Sequence, residues 1–328
     1  MGRAGLNRKT ALATLTLTLA AEAPDIDMLA GFRGRAFAFA HHRGFTHSFL
    51  GLFLVCAVVI GFMYFIWRLR GRKTSIPNLP PRWGLLFLFA YIAGLSHILL
   101  DFTNNYGVRP FWPFWGTWYS WGVTFIIEPT LFVFLLAGLL LPALFSKQHV
   151  PRGAVAARLA LACVAGLWCV RAYEIAEAKS NLEKQEFESA RPVQVSVYPY
   201  WFRVSRLRIG KRWHVVVETQ EKFVSSDVNL STGELDPSET MVFSKSGNTP
   251  AFLAARQSYL GRVYLGWAGY PLTTESRQGR DTVVRFQDLR FDYPQLRGRL
   301  GLSGSVELDS NLHVISERWG NRQQSPPD

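Results

Sequence analysis

Three short stretches concentrate side chains that can hold a cation or move a proton: PDID at residues 24–27, HHRGFTHSFLG at 41–51 and HILLD at 97–101. The first offers two carboxylates, Asp25 and Asp27, directly after an apolar run. The second sets His42 and His47 on either side of a glycine-containing turn that opens into a long hydrophobic segment. The third places His97 and Asp101 four residues apart, so that on a helix both project from one face. Imidazole and carboxylate donors together suit Zn, Mn or Fe, and zinc is the default divalent ion where no redox partner is visible. A cation so held lowers the pKa of a bound water and polarises an ester or phosphoryl oxygen. Each piece alone has a plainer use: an Asp-x-Asp can be a turn device, a histidine at a helix start a cap, and a His–Asp pair a surface hydrogen bond. What joins them is their position relative to a membrane.

Four apolar runs, at residues 49–67, 84–100, 123–145 and 154–170, approach the roughly 20 residues that cross a bilayer core. A fifth, 11–23, is shorter and rich in threonine, and reads either as a short helix packed inside a bundle or as a re-entrant segment. It is not a signal peptide, because Glu22 interrupts it and no small-residue cleavage site follows. Trp112, Trp115, Trp118, Tyr119 and Trp121 crowd between two runs as an interfacial belt does. If the runs alternate across the membrane, eleven Lys and Arg side chains fall on one side and five on the other, which makes the richer side cytoplasmic. Every acid of residues 1–172 (Glu22, Asp25, Asp27, Asp101 and Glu128) then lies at the outer face, together with His41, His42, His47 and His97. Ionisable groups beside hydrocarbon are costly and by default mark a functional site.

The charge distribution narrows the partners. Residues 1–172 hold 16 Lys and Arg against 5 Asp and Glu, and residues 173–328 hold 20 against 19, so nearly all of the net charge of +12 sits in the apolar half. A nucleic-acid-binding protein carries such an excess on one face of a folded domain, beside aromatics. Here it lies in short loops between apolar runs, which argues for the lipid bilayer and against nucleic acid. The segments have no evident inverted repeat and the acids gather at one face, which sets a transporter aside. Cys56, Cys163 and Cys169 lie in apolar segments without CxxC spacing and read as packing residues.

In order and spacing, PDID, then HRGFTHS opening a hydrophobic helix, then HILLDFTNNYGVRPFWPF resembles the YdjM-like family of membrane-bound metal-dependent hydrolases, over residues 1–135. Later stretches, RWHVVVET at 212–219 and VVRFQDLRF at 283–291, look like the outer domain that some members carry. The resemblance implies an integral inner (plasma) membrane protein with a histidine/aspartate metal centre and hydrolase activity, without naming a substrate. The helical core is also similar to that of the zinc-dependent phospholipase C group, a fold-level analogy that leans toward phosphoesters. Carried over by position, Asp25 and Asp27 match the family's Asp pair, His42 the HRG histidine, His47 the THS histidine, and His97 and Asp101 the His and Asp of the later helix. That implies Asp25, Asp27, His47, His97 and Asp101 as metal ligands. It makes Asp25, Asp27 and His42 the groups within reach of the chemistry, an Asp accepting a proton from water and His42 contacting a phosphoryl oxygen or orienting a ligand. Arg43 is expected to stabilise developing negative charge or to meet lipid headgroups, Thr46 or Ser48 to cap the helix that follows, and His41 to face solvent. Relatives usually begin with an Asp-Pro-x-Thr-His segment before a small-residue helix. This chain starts MGRAGLNRKT, which reads as the continuation after that helix, so a translation start upstream of Met1 is the favoured expectation, the alternative being that the protein lacks one ligand.

Past a charged, helix-favouring linker at 173–191, runs at 193–198, 213–219, 282–286 and 302–308 read as half-buried strands. Turn-forming clusters such as SKSGNTP, 244–250, separate them. An antiparallel sheet or small sandwich is expected there, with His214 and His313 in core or surface roles and 323–328 as a frayed tail. The expected fold class is an α-helical multi-pass membrane domain over 1–172, followed by a mostly β soluble domain over 192–328 on the periplasmic side. The expected function is metal-dependent hydrolysis at the outer membrane–water interface of an amphiphilic or envelope-derived ester or phosphoester. The alternative is a non-catalytic membrane protein that presents its outer β domain to a partner.

Overall fold

The computed structural model describes residues 1–71, 79–145, 151–199, 212–230, 232–245, 247–293, 302–320 and 322–324. Arg72, Lys73, Lys147, His149 and the tail from 325 lie outside the described residues, as does the side chain of Arg152. The helices are α1 (Ala13–Glu22), α2 (Arg35–His41), α3 (Phe49–Leu69), α4 (Trp83–Thr103), α5 (Pro129–Phe145), α6 (Pro151–Leu182), α7 (Pro250–Gln257) and α8 (Tyr259–Trp267). The chain forms two compact units: Met1–Met28 with His42–Arg171, and Leu29–His41 with Ala172–Asp328.

In the first unit, α3 and α4 are each 21 residues long and apolar over most of their length, with Arg68 in the last turn of α3 and His97 and Asp101 near the end of α4. At 1.5 Å per residue each runs about 31 Å, the thickness of a bilayer core. With Gly153–Leu182 they make three helices long and apolar enough to cross a membrane among the described residues. The third run departs from expectation. Residues 123–128 are not helical, and α5 starts only at Pro129, leaving a 17-residue apolar helix interrupted by Pro142. Proline disfavours helical backbone in the residue before it. The preceding residues pair elsewhere, with Thr124 N–H donating to Thr103 O at 2.9 Å. The threonine-rich run 11–23 takes the first of its two expected forms: α1 buries Ala13, Thr16, Leu17 and Ala20 at helical spacing and packs on α4 and α3.

Small residues set how closely α3 and α4 approach. Leu52 is fully buried, and a Cβ on Gly94 would lie 2.3 Å from its Cδ1. Without strong hydrophobic driving force between helices in lipid, such close packing is what holds them. Ser48 starts α3: its hydroxyl accepts from Gly51 N–H at 3.0 Å and donates to Phe45 O at 2.8 Å. Gly51 is required by the same corner, since a Cβ there would sit 1.8 Å from Phe45 O. The turn 45–47 that carries His47 can therefore fold directly onto the first turn of α3. The sequence SYLG at 258–261 repeats the device between α7 and α8, with Ser258 Oγ accepting from Gly261 N–H at 3.0 Å.

The second unit holds two five-stranded antiparallel sheets. The first contains β1 (Gln194–Tyr198), β2 (Arg212–Glu218), β3 (Lys222–Asn229) and β4 (Glu234–Leu235) in order, with β5 (Met241–Ser244) also on β3. The second is a meander of β6 (Pro271–Gln278), β7 (Asp281–Asp288), β8 (Gly304–Leu308), β9 (Val314–Trp319) and β10 (Arg322–Gln324). Alternation along β1 to β3 sends Val195, Val197, Val215, Val217 and Val224 to one face, where Ala178 and Leu182 of α6 cover them. Val216 and Phe223 of the opposite face meet Tyr270, Leu272 and Leu289. The stretch read as a charged linker is thus helical as far as Leu182. Helices α7 and α8 were not expected. Thr249, in the stretch read as a separator, accepts from Phe252 N–H at 3.0 Å and caps α7, with Pro250 in its first turn.

Gly51→Ala is expected to lower the melting temperature of the detergent-solubilised chain by the equivalent of about 1–3 kcal/mol of overpacking. Gly61→Ala, on the same helix with nothing within 4 Å of its added Cβ, is expected to leave the melt unchanged or raise it.

Candidate metal centre

The start of α3, the end of α4 and the 3-10 segment Ala23–Arg33 place all six expected side chains in the first unit, in two overlapping groups. Asp25, His47, His97 and Asp101 form one, and Asp25, Asp27 and His42 the other. In the first, His47 Nε2 lies 3.3 Å from His97 Nε2, 3.4 Å from Asp25 Oδ1 and 3.3 Å from Asp101 Oδ2. His97 Nε2 lies 3.4 Å from Asp25 Oδ1 and 3.5 Å from Asp101 Oδ2. Each imidazole nitrogen thus lies 3.3–3.5 Å from the other and from both carboxylate oxygens, and all four atoms lie within 4.8 Å of one another. Tetrahedral zinc bonds of 2.0–2.1 Å to nitrogen and oxygen imply donor separations of about 3.3–3.4 Å. Asp101 Oδ2 is buried and faces only the two imidazole nitrogens, an arrangement satisfied by a cation or proton shared between them. The donor set fits a divalent ion such as zinc.

Asp27 stands behind His47. Its Oδ2 lies 3.1 Å from His47 Nδ1 and accepts from Arg43 N–H at 2.8 Å and from the Thr46 hydroxyl at 3.1 Å. Its Oδ1 faces His42 Nδ1 at 3.0 Å. A carboxylate at Nδ1 fixes the tautomer that turns the Nε2 lone pair toward the cluster, the arrangement commonly found behind metal-binding histidines. Of the two capping candidates, Ser48 therefore caps and Thr46 binds Asp27. His41 is exposed, with Nδ1 2.8 Å from Phe37 O, as expected.

Electrostatics follow from this packing. Burial disfavours the charged form of His47, but hydrogen bonds to Asp101, Asp25 and Asp27 outweigh it and raise the pKa to about 10. The same bonds from His47 and His97 hold the Asp25 carboxyl well below the usual range. Burial pushes Asp27 upward, and the bonds to His42 and His47 more than reverse it. The cluster opens on one side: the Asp25 side chain is 39% exposed and that of His42 24%, against 0% for His47.

Arg43 does not reach out to lipid headgroups, one of its two expected roles. It is buried, its backbone is left-handed (φ 52°), and its guanidinium pairs with Asp101 Oδ1 at 2.8 Å. It also donates to Asn104 Oδ1 at 3.2 Å and Gly107 O at 3.1 Å, and lies over the Tyr106 ring. One oxygen of Asp101 is thus neutralised from outside while the other faces the histidines. Arg109 joins the surround by donating to His42 O at 3.1 Å. Neither arginine's partner is a near neighbour in sequence, so only FTNNYGVRP following HILLD hinted at such support.

Apolar helices of membrane-spanning length, with a His/Asp cluster where two of them begin and end, define a membrane protein with a candidate metal centre. The chain belongs to the YdjM inner membrane protein family, which it matches over residues 1–178. It is also similar to the uncharacterized protein YfhP of Bacillus subtilis (strain 168), 26% identical over 136 residues. That alignment takes in 41% of this chain and 38% of the relative, so the chain spans well under half the length of YfhP. No solved structure matches the chain.

Replacing Arg43 leaves the Oδ1 of Asp101 without its charged partner at the end of α4. Arg43→Met is expected to cost about 3–5 kcal/mol of stability. Arg43→Lys, which keeps the charge but not the fork to Asn104 and Gly107, is expected to cost less. Thermal melts of the solubilised protein would rank the two.

Proposed function

We propose that this protein is a metal-dependent hydrolase of the inner membrane that acts at the outer membrane–water interface. Its substrate is an amphiphilic or envelope-derived ester or phosphoester. The observation that carries the reading is the pair of imidazole nitrogens lying 3.3–3.5 Å from each other and from the carboxylate oxygens of Asp25 and Asp101, at the end of two membrane-spanning helices. His47, His97, Asp101 and Asp25 would hold a divalent ion, with zinc suited to two nitrogens and two oxygens. Bound there, such an ion supplies Lewis acidity toward the substrate oxygen and acidifies a coordinated water. His42 accepts the proton of the attacking water, and Asp27, at its Nδ1, orients the ring and stabilises the imidazolium that results. Asp25, the most exposed of the four, borders the side by which substrate enters and is the ligand that can yield a position to it. The positive-inside bias of eleven basic residues against five supports an outward-facing site with residues 173–328 on the same, periplasmic side.

Metal analysis of the purified full chain is expected to find about one ion per chain and less than a tenth of that in the His47→Ala, His97→Ala double variant. Equal metal in both would end the reading. His42→Ala is expected to retain the metal and lose about 10²–10⁴-fold in hydrolysis of a model phosphodiester or of phospholipid in vesicles.

A second reading has its own support. Four protein ligands would leave a four-coordinate ion no open position, which is how structural zinc sites are built, whereas catalytic ones keep a position open. On that reading the ion staples the helix ends of a non-catalytic protein that presents its β domain to a partner. Chelation would then lower the melting temperature with no hydrolysis to lose.

A further inference from the structure

The second sheet ends on a long strand that is paired on one side. There β6 pairs with β7, from Pro271↔Asp288 to Gln278↔Asp281, and among the described residues no strand pairs with its other side. Residues 274–280 are all exposed. Eight residues is long for an open edge; β10, at the opposite edge of the sheet, has three. An unpaired row of N–H and C=O groups is a template for another strand, and proteins usually blunt it with proline, a bulge or a short length. After Pro271, β6 has none of these, and its register on β7 runs unbroken. The hairpin decides which backbone groups point outward. Gly279, at φ 67°, and Arg280 form a two-residue loop, so Gln278 and Asp281 close it as a hydrogen-bonded pair. Alternation then turns the N–H and C=O of Gln278, Ser276 and Thr274 toward β7, and those of Arg277 and Glu275 away from it.

We infer that β6 pairs with the β6 of a second copy of this chain, antiparallel about Ser276, so that two five-stranded sheets join into one of ten strands. The charge pattern selects both the partner and the register. With the two-fold axis at Ser276, Glu275 of each copy stands opposite Arg277 of the other, and these are hydrogen-bonded pairs of the new ladder. Moving the axis one residue, to Glu275 or to Arg277, sets like charges face to face, which is destabilising. Moving it to Thr274 brings Pro271, which has no N–H to give, opposite Arg277. On β7 the cross-strand partner of Glu275 is Val284 and that of Arg277 is Thr282, so both side chains leave on one face and meet their counterparts there. Both copies are anchored in one membrane, which holds their β units at high effective concentration and lets a single strand pairing suffice. The pairing lies wholly within the C-terminal unit and stands apart from the metal-binding reading.

The test is disulfide trapping of the full chain in membranes, in a Cys163→Ala, Cys169→Ala background that keeps the buried Cys56. Ser276 of the two copies forms the central non-hydrogen-bonded pair, with Cα atoms about 4.5 Å apart, so Ser276→Cys is expected to cross-link as a dimer on mild oxidation. The two copies of Thr274 would lie about 14 Å apart along the ladder, and Thr274→Cys alone is expected to stay monomeric. Differently tagged Thr274→Cys and Gln278→Cys chains, expressed together, are expected to cross-link to each other, which reads the register without touching a charge. Adding Arg277→Glu to Ser276→Cys sets carboxylates opposite one another and is expected to cut the cross-linked fraction about fivefold or more, and adding Glu275→Arg as well is expected to return it. No cross-link from Ser276→Cys, or an equal one from Thr274→Cys alone, would overturn the pairing, the second by tracing it to chance collision or another alignment. Failure of the mixed Thr274→Cys and Gln278→Cys chains to join, or a Ser276→Cys cross-link indifferent to Arg277→Glu, would overturn the register.

Discussion

One buried carboxylate organises the centre. Asp27 takes the backbone N–H of Arg43 and the hydroxyl of Thr46, and faces Nδ1 of both His42 and His47. A carboxylate removed from water is tolerable only when its lone pairs are filled. Meeting that demand pulls segment 23–28 against the turn 42–47, although 14 residues separate Asp27 from His42. It also orients His47, and so the direction in which Nε2 faces His97, Asp25 and Asp101. The left-handed backbone at Arg43 is part of the same solution, since it turns the N–H toward Asp27 while the side chain runs to Asp101.

The helices supply the second constraint, which is where the halves can meet. His97 and Asp101 share a face at the end of α4, and His47 is presented by the corner that starts α3. Contact between them requires the two helices to pack closely at those ends, which Gly94 against Leu52 and Gly51 against Phe45 O allow. Acids at the helix ends are handled twice in the same way. Asp101 pairs with Arg43, and Glu128, before α5, pairs with Arg171 of α6 through two contacts of 2.6 and 3.2 Å. Beside hydrocarbon an unpaired acid would be costly, so each is bound to an arginine, whose guanidinium can hold a carboxylate at two points.

Much of the molecule was legible in its sequence because the responsible rules are local. Two apolar runs became α3 and α4 within a few residues, and all four predicted strands formed, because hydrophobic length and period-two alternation do not depend on distant partners. The His97–Asp101 pair followed from helical periodicity alone. Less local features were misread. Pro129 and the pairing of Thr124 with Thr103 removed the first residues of the third run from its helix. Helices α7 and α8 hid behind a stretch whose Thr249 and Pro250 serve a cap as readily as a turn.

What the sequence by itself determined is the inventory: apolar spans, a β-rich C-terminal part, and carboxylates and imidazoles gathered at one ends' side of the spans, together with the motif order that marks the family. Only the tertiary structure decided how those groups divide the work. It set Asp27 behind His47 instead of beside His97, and gave Arg43 to Asp101. The reason is physical. Residue type and period fix what a segment can bury, whereas the pairing of a charged group is chosen among all the partners that folding brings within about 3–4 Å, most of them remote in sequence.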